Sequence, residues 1–204
     1  MSDARYLAIG IPGGEFITSD GRRMGQVITH HDHWEMSTAE YRVWCDSLTG
    51  QISVDPHQLS QASSFQAENR EALQSAGYSD PYALLHAMEQ IPLVFSYYPD
   101  VPNTDLIDTL TIVPNGTLIG NVPDNPQDYL LATPDGYPYH HHAIDITIWV
   151  ACWNHQTIST IITEVAKHTQ RNIEKATVTV WRFIETAMAQ RLIYLAPGKR
   201  RLSS

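Results

Sequence analysis

Two histidine clusters are the residues whose types and spacing could do chemistry. ITHHDHWEMS (Ile28–Ser37) holds His30, His31 and His33, and YPYHHHAID (Tyr137–Asp145) holds His140, His141 and His142. Successive side chains on a strand point to opposite faces, so His31 and His33 share one face, and so do His140 and His142. Two imidazoles at i and i+2, joined by a third ligand from elsewhere, would suit zinc or nickel. The plainer reading is an exposed edge strand whose histidines only hydrogen-bond. No fixed Cys/His/Glu spacing accompanies either cluster, so no metal and no cofactor are expected.

Nucleophilic and phosphate chemistry have no better support. G-x-S-x-G, Walker, H-E-x-x-H and G-x-G-x-x-G patterns are all missing, so no enzyme is expected. The paired glycines of IPGGEF (Ile11–Phe16) precede no helix and read as a hairpin turn. Cys45 and Cys152 lie beside Trp on apolar segments and read as buried, inert thiols, too few for a disulfide framework.

The elements that must position these residues come in two copies. LLHAMEQIPLVFSYYPD (Leu84–Asp100) matches FIETAMAQRLIYLAPGK (Phe183–Lys199) at an offset of 99, each an amphipathic helix end running into an apolar strand. MSTAEYRVWC (Met36–Cys45) matches HAIDITIWVAC (His142–Cys152), with Trp44 opposite Trp149. FITSDG (Phe16–Gly21) matches LATPDG (Leu131–Gly136), both Asp-Gly turns, and PGGEFI (Pro12–Ile17) matches PNGTLI (Pro114–Ile119). Both halves therefore read as strands with tight turns, a Trp-bearing helix, one or two further helices and a closing strand. The junction YYPDVPNTD (Tyr97–Asp105) suits a linker.

In the second copy, Tyr129–Ala132 reads as a strand, Thr133–Gly136 as a turn and Tyr137–His142 as a strand with Pro138 at a sheet edge. Ile144, Ile148 and Ala151 fall at helical spacing. Thr157 starts a helix over Ile158–His168, and Asn172 caps a third helix to about Gln190. That helix has a core stripe through Ile173, Ala176, Val180, Phe183, Ile184 and Ala187. Its second stripe, Val178, Trp181 and Met188, needs another partner: the other copy, a second subunit of a homo-oligomer, or a ligand in a groove. In the first copy, the segment QISVDPHQLSQASSF (Gln51–Phe65) is an irregular second helix broken by Pro56.

The 204 residues carry a net charge of −9, which disfavours non-specific binding to nucleic acid. With no basic start leading into an apolar segment and no apolar run of about 18 residues, a cytoplasmic protein without a membrane span is expected.

The stretch LLATPDGYPYHHHAIDITIWVACWNHQTISTIITEV, followed by VWRFIETAMAQRLIYL, resembles the PQQ-biosynthesis peptide chaperone (PqqD-like) family. That family is the prototype of the elements that recognise leader peptides of ribosomally made, modified peptides. The resemblance runs over Tyr129–Ala196, with a weaker echo over Met36–Asp100. It implies a small antiparallel sheet packed on about three helices, and with the internal repeat the expected fold is α+β, two tandem winged-helix-like domains, residues 1–100 and 101–197, before a basic tail at 198–204. It also implies a peptide or protein partner that adds as a strand beside Tyr137–His141, meeting Tyr137, Tyr139 and His141 and touching Val178, Trp181 and Arg182 on the third helix. The alternative is a winged-helix DNA-binding regulator, with HTQRN (His168–Asn172) and GKRR (Gly198–Arg201) supplying positive charge.

Overall fold

A computed structural model describes residues 5–29, 32–48, 67–75, 77–78, 81–98, 103–154 and 157–198. The chain is mixed α+β and divides into two compact units, Met1–Pro99 and Asp100–Ser204. His30, His31, Pro56 with its broken helical segment, His155 and the Lys199–Ser204 part of the tail lie outside the described residues. No helix among the described residues is long and apolar enough to cross a membrane.

Unit 1 runs β1 (Arg5–Ala8), β2 (Ile11–Ile17), β3 (Arg23–Ile28), β4 (His33–Ser37), α1 (Thr38–Ser47), α2 (Ala67–Ser75), α3 (Pro81–Gln90) and β5 (Val94–Tyr97). Unit 2 runs α4 (Thr104–Ile107), β6 (Leu110–Pro114), β7 (Thr117–Val122), β8 (Asn125–Ala132), β9 (Pro138–His142), α5 (Ala143–Cys152), α6 (Ile158–Thr169), α7 (Ile173–Ala189) and β10 (Ile193–Pro197). Apart from α4, the order of the described elements matches. In each unit three strands form an antiparallel meander, β2-β3-β4 or β7-β8-β9, and the first strand pairs antiparallel with the last, β1 with β5 or β6 with β10.

Local chemistry explains the boundaries. Asn172 caps α7 by accepting a hydrogen bond from Lys175 N at 2.9 Å. The α6–α7 connection turns at Gln170, which takes the left-handed conformation at φ 54° and so ends α6. Trp44 and Trp149 are each the seventh residue of their helix, and both are buried. The core of unit 2 gathers Ile148, Ile158, Ile161, Val165, Val180 and Ile184, all at 0% exposure. These are the inward positions of three helices laid on the sheet.

Three details of the repeat are corrected. The Asp-Gly turns serve different hairpins: Thr18–Arg22 joins β2 to β3, whereas Thr133–Tyr137 joins β8 to β9. The glycines of IPGGEF lie within β2, where the register with β3 shifts between Pro12 and Gly14, so they form a bulge rather than a turn. The glycine that matches Gly116 is Gly10. Each precedes its unit's second strand, and a Cβ on either would meet a carbonyl of the facing strand at 2.9 Å, Ile28 O or Ala132 O. Cys152 takes the helix position of Ser47, each being the tenth residue of its helix.

Candidate functional site

Among the described residues β9 pairs with β8 alone, which leaves its other edge open. The hairpin closes where Thr133 N–H donates to Tyr137 O at 3.0 Å. In an antiparallel ladder bonded and non-bonded pairs alternate. With the register Ala132↔Pro138, Leu131↔Tyr139, Leu130↔His140, Tyr129↔His141 and Asp128↔His142, Tyr139 and His141 therefore bond to β8. Pro138, His140 and His142 turn their backbone groups outward. Proline has no N–H, and His142 N–H donates to Asp145 Oδ2 at 3.1 Å, capping α5. What stays open is Pro138 C=O together with both backbone groups of His140.

The same reasoning applies to unit 1. Thr29 N–H donates to Asp32 O at 2.9 Å, and Val27 faces Trp34 in the register, so His33, Glu35 and Ser37 turn outward on β4. Ser37 N–H donates to Glu40 Oε2 at 2.7 Å, the counterpart of His142 and Asp145. His33 and Glu35 keep both backbone groups open, so β4 offers one more N–H than β9.

The histidine side chains part company. His140 and His142 are exposed while His141 is buried, as the alternation of a strand requires. His142 Nδ1 lies 2.7 Å from Asp128 Oδ1 on β8. His141 is 4% exposed and packs edge-on against Phe183 of α7, ring centroids 6.2 Å apart. Its Nε2 lies 2.9 Å from Gln190 Oε1. An amide oxygen only accepts, so Nε2 carries the hydrogen. Asp145 Oδ2 stands 3.6 Å from the other ring nitrogen, beyond hydrogen-bond reach. Among the described residues no three His, Cys, Asp or Glu side chains converge as a metal set.

No family model, curated protein or solved structure matches the chain.

Of the residues assigned to peptide binding, Tyr137, Val178 and Arg182 are at the surface, and Tyr139 is half-buried. Two assignments are corrected. Trp181 is 1% exposed and Met188 0%, so most of the second stripe of α7 is core and the Trp181 ring offers no wall to a partner. His141 points its side chain inward and its backbone toward β8, so it holds the strand down rather than reading a ligand. Sequence reasoning missed His140 as the residue with the open backbone, and Gln190 as the anchor of His141. The phase of the hairpin bonds, which sequence does not print, fixes the first.

Cys152 is buried, its thiol pushed up to about 12 by burial, which leaves it unreactive. Cys45 is half-buried.

Proposed function

We propose that the chain is a tandem of winged-helix-like domains that recognises an extended peptide or protein segment, without catalysis, by strand addition at β9. The observation that carries this reading is the edge position of β9 with His140 N–H and C=O turned away from β8. An incoming strand pairs with main chain there, and side chains flanking the edge select among sequences. Tyr137, just before β9, and the exposed imidazole of His140 on it are the flanking groups. β4 is a second acceptor of the same kind, through His33 and Glu35. The DNA-regulator reading has less behind it: the exposed face of α7 mixes Glu174 with Lys175 and Arg182, and the net charge is −9.

The test is a selection of binders from a random peptide library on the full chain, followed by two substitutions at one position. His140→Pro removes the outward N–H, at a place where an edge strand tolerates proline. His140→Ala keeps it. Selected peptides should bind the Ala variant and lose affinity for the Pro variant by roughly 1 kcal/mol or more. Equal binding to both sinks strand addition at β9. Tight, salt-sensitive binding of the intact chain to duplex DNA would favour the regulator instead.

A further inference from the structure

A second feature of unit 2 lies away from the strand edge and rests on different residues. One face of α5 and the C-terminal half of α6 border an open groove of about 940 Å3, with Tyr129 of β8 also in its lining. That volume is at the upper end of the roughly 300–1,000 Å3 typical of small-ligand clefts. Its apolar part is Ile146, Val150 and Val165, and Val150 is 52% exposed there. Lys167 and His168, in the last turn of α6, line it together with Glu164.

Unit 1 is built differently at the matching positions. Gly25 holds the strand position that Tyr129 holds in unit 2, and Tyr41 holds the helix position of Ile146. Tyr41 lies so close over Gly25 that an added Cβ would come within 2.1 Å of its Cγ, and its hydroxyl accepts from Gly14 N at 3.2 Å. The ring in unit 1 is thus delivered by the helix and pinned down onto the sheet. In unit 2 the ring sits on the strand, and α5 carries the smaller Ile146 opposite α6.

We propose that this groove binds a small amphipathic monoanion, an apolar body lying along Ile146 and Val150 with its carboxylate at Lys167 and His168. The charge pattern selects that class. Lys167 has no ion pair among the described residues, so an ammonium is available to pair with one carboxylate. A phosphate or a dianion would meet Glu164 and the overall charge of −9 with too little positive charge in return. An uncharged apolar ligand would leave Lys167 unused.

The experiment titrates the full chain with decanoate and, separately, with 1-decanol, followed by amide chemical shifts and calorimetry. Decanoate should saturate one site, with shifts centred on Val150, Val165 and Lys167. Lys167→Gln should weaken decanoate about tenfold or more and leave decanol unchanged. Val150→Glu, at an exposed position, should abolish decanoate binding while circular dichroism shows the fold retained. Non-saturating decanoate, or equal affinity in Lys167→Gln, overturns the proposal. So does a groove that ignores decanoate but loses a polypeptide partner in Val150→Glu, which would make it a protein contact. None of these outcomes bears on His140→Pro, so the two readings fail separately.

Discussion

Leu93 and Leu192 occupy the same place in the two units, just after the last helix, yet their carbonyls are used differently. Leu93 O accepts from Ile9 N at 2.8 Å and from the Trp44 indole Nε1 at 3.0 Å. Leu192 O accepts from Asn115 N at 2.7 Å and Gly116 N at 3.0 Å. A carbonyl has two lone pairs. In unit 2 the chain before β7 fills both, and Trp149 Nε1 is left buried with no hydrogen-bond partner among the described residues. Trp149 stacks edge-on against Trp153 instead, centroids 5.3 Å apart. The repeat thus preserves where the ring sits, not the bond that holds it. A large apolar body is enough to fix the helix, and its polar tip is the part free to diverge.

The largest effect that tests this comparison is removal of the rings. Trp44→Ala should cost about 5 kcal/mol, the loss of a buried aromatic plus a buried hydrogen bond. Trp149→Ala should cost about 3 kcal/mol, since no bond is lost. Urea denaturation, with each unit followed by its own probe, measures both. Equal losses would mean that the indole bond carries no net weight.

Next comes the exchange of ring and glycine. Gly25→Ala should cost about 2 kcal/mol, because the new Cβ meets the Tyr41 ring. In a Tyr41→Ile background, which copies the helix of unit 2, the same change should be neutral or stabilise by about 0.5 kcal/mol. If Gly25→Ala is costly in both backgrounds, the ring is not what requires glycine.

A smaller effect concerns the caps. Ser37 accepts from Glu40 N at 3.3 Å. Ser37→His, which installs the residue of unit 2, should cost about 1 kcal/mol in a thermal melt. An unchanged melting temperature would show that the Glu40 carboxylate alone suffices.

The smallest change is His141→Met, which puts the unit 1 residue Met36 into unit 2. It gives up the Gln190 bond and gains apolar burial, so stability should move by less than about 1 kcal/mol. A loss of several kcal/mol would mark the His141–Gln190 pair as a main hold on β9. Iodoacetamide at mild alkaline pH adds a qualitative check between the units. Cys45 should label in the native chain, and Cys152 only on unfolding, because burial keeps its thiol protonated. Native labelling of Cys152 would mean that α5 opens readily.

How much of this was legible in the sequence follows from how far each cause reaches along the chain. The Asn172 cap, the limits of α7, the Asp-Gly turns and the placing of Pro138 at an edge all depend on residues within a few positions. Pairing does not. Nothing near Arg5–Ala8 announces a partner at Val94–Tyr97, and the glycines of β2 pass for a turn until β3 is seen beside them. The two Asp-Gly turns match each other in sequence because any tight hairpin accepts that dipeptide. Trp181 and His141 read as surface for a related reason: a stripe or an alternation gives the relative facing of residues, while the packing partner decides which face is inside. At the candidate site, β9 was therefore placed correctly and its open backbone was not.

The pairing of first and last strands has a mechanical meaning. Arg5 faces Tyr97 at one end of the β1–β5 ladder, and Leu110 faces Pro197 in β6–β10. Each unit thus receives the chain and releases it at the same corner. A force applied to the two ends of a unit would open that ladder like a zipper, one bond at a time, instead of shearing all its bonds together. Under tension from both ends each unit should therefore yield at low force, beginning at the outermost pair, whatever its equilibrium stability.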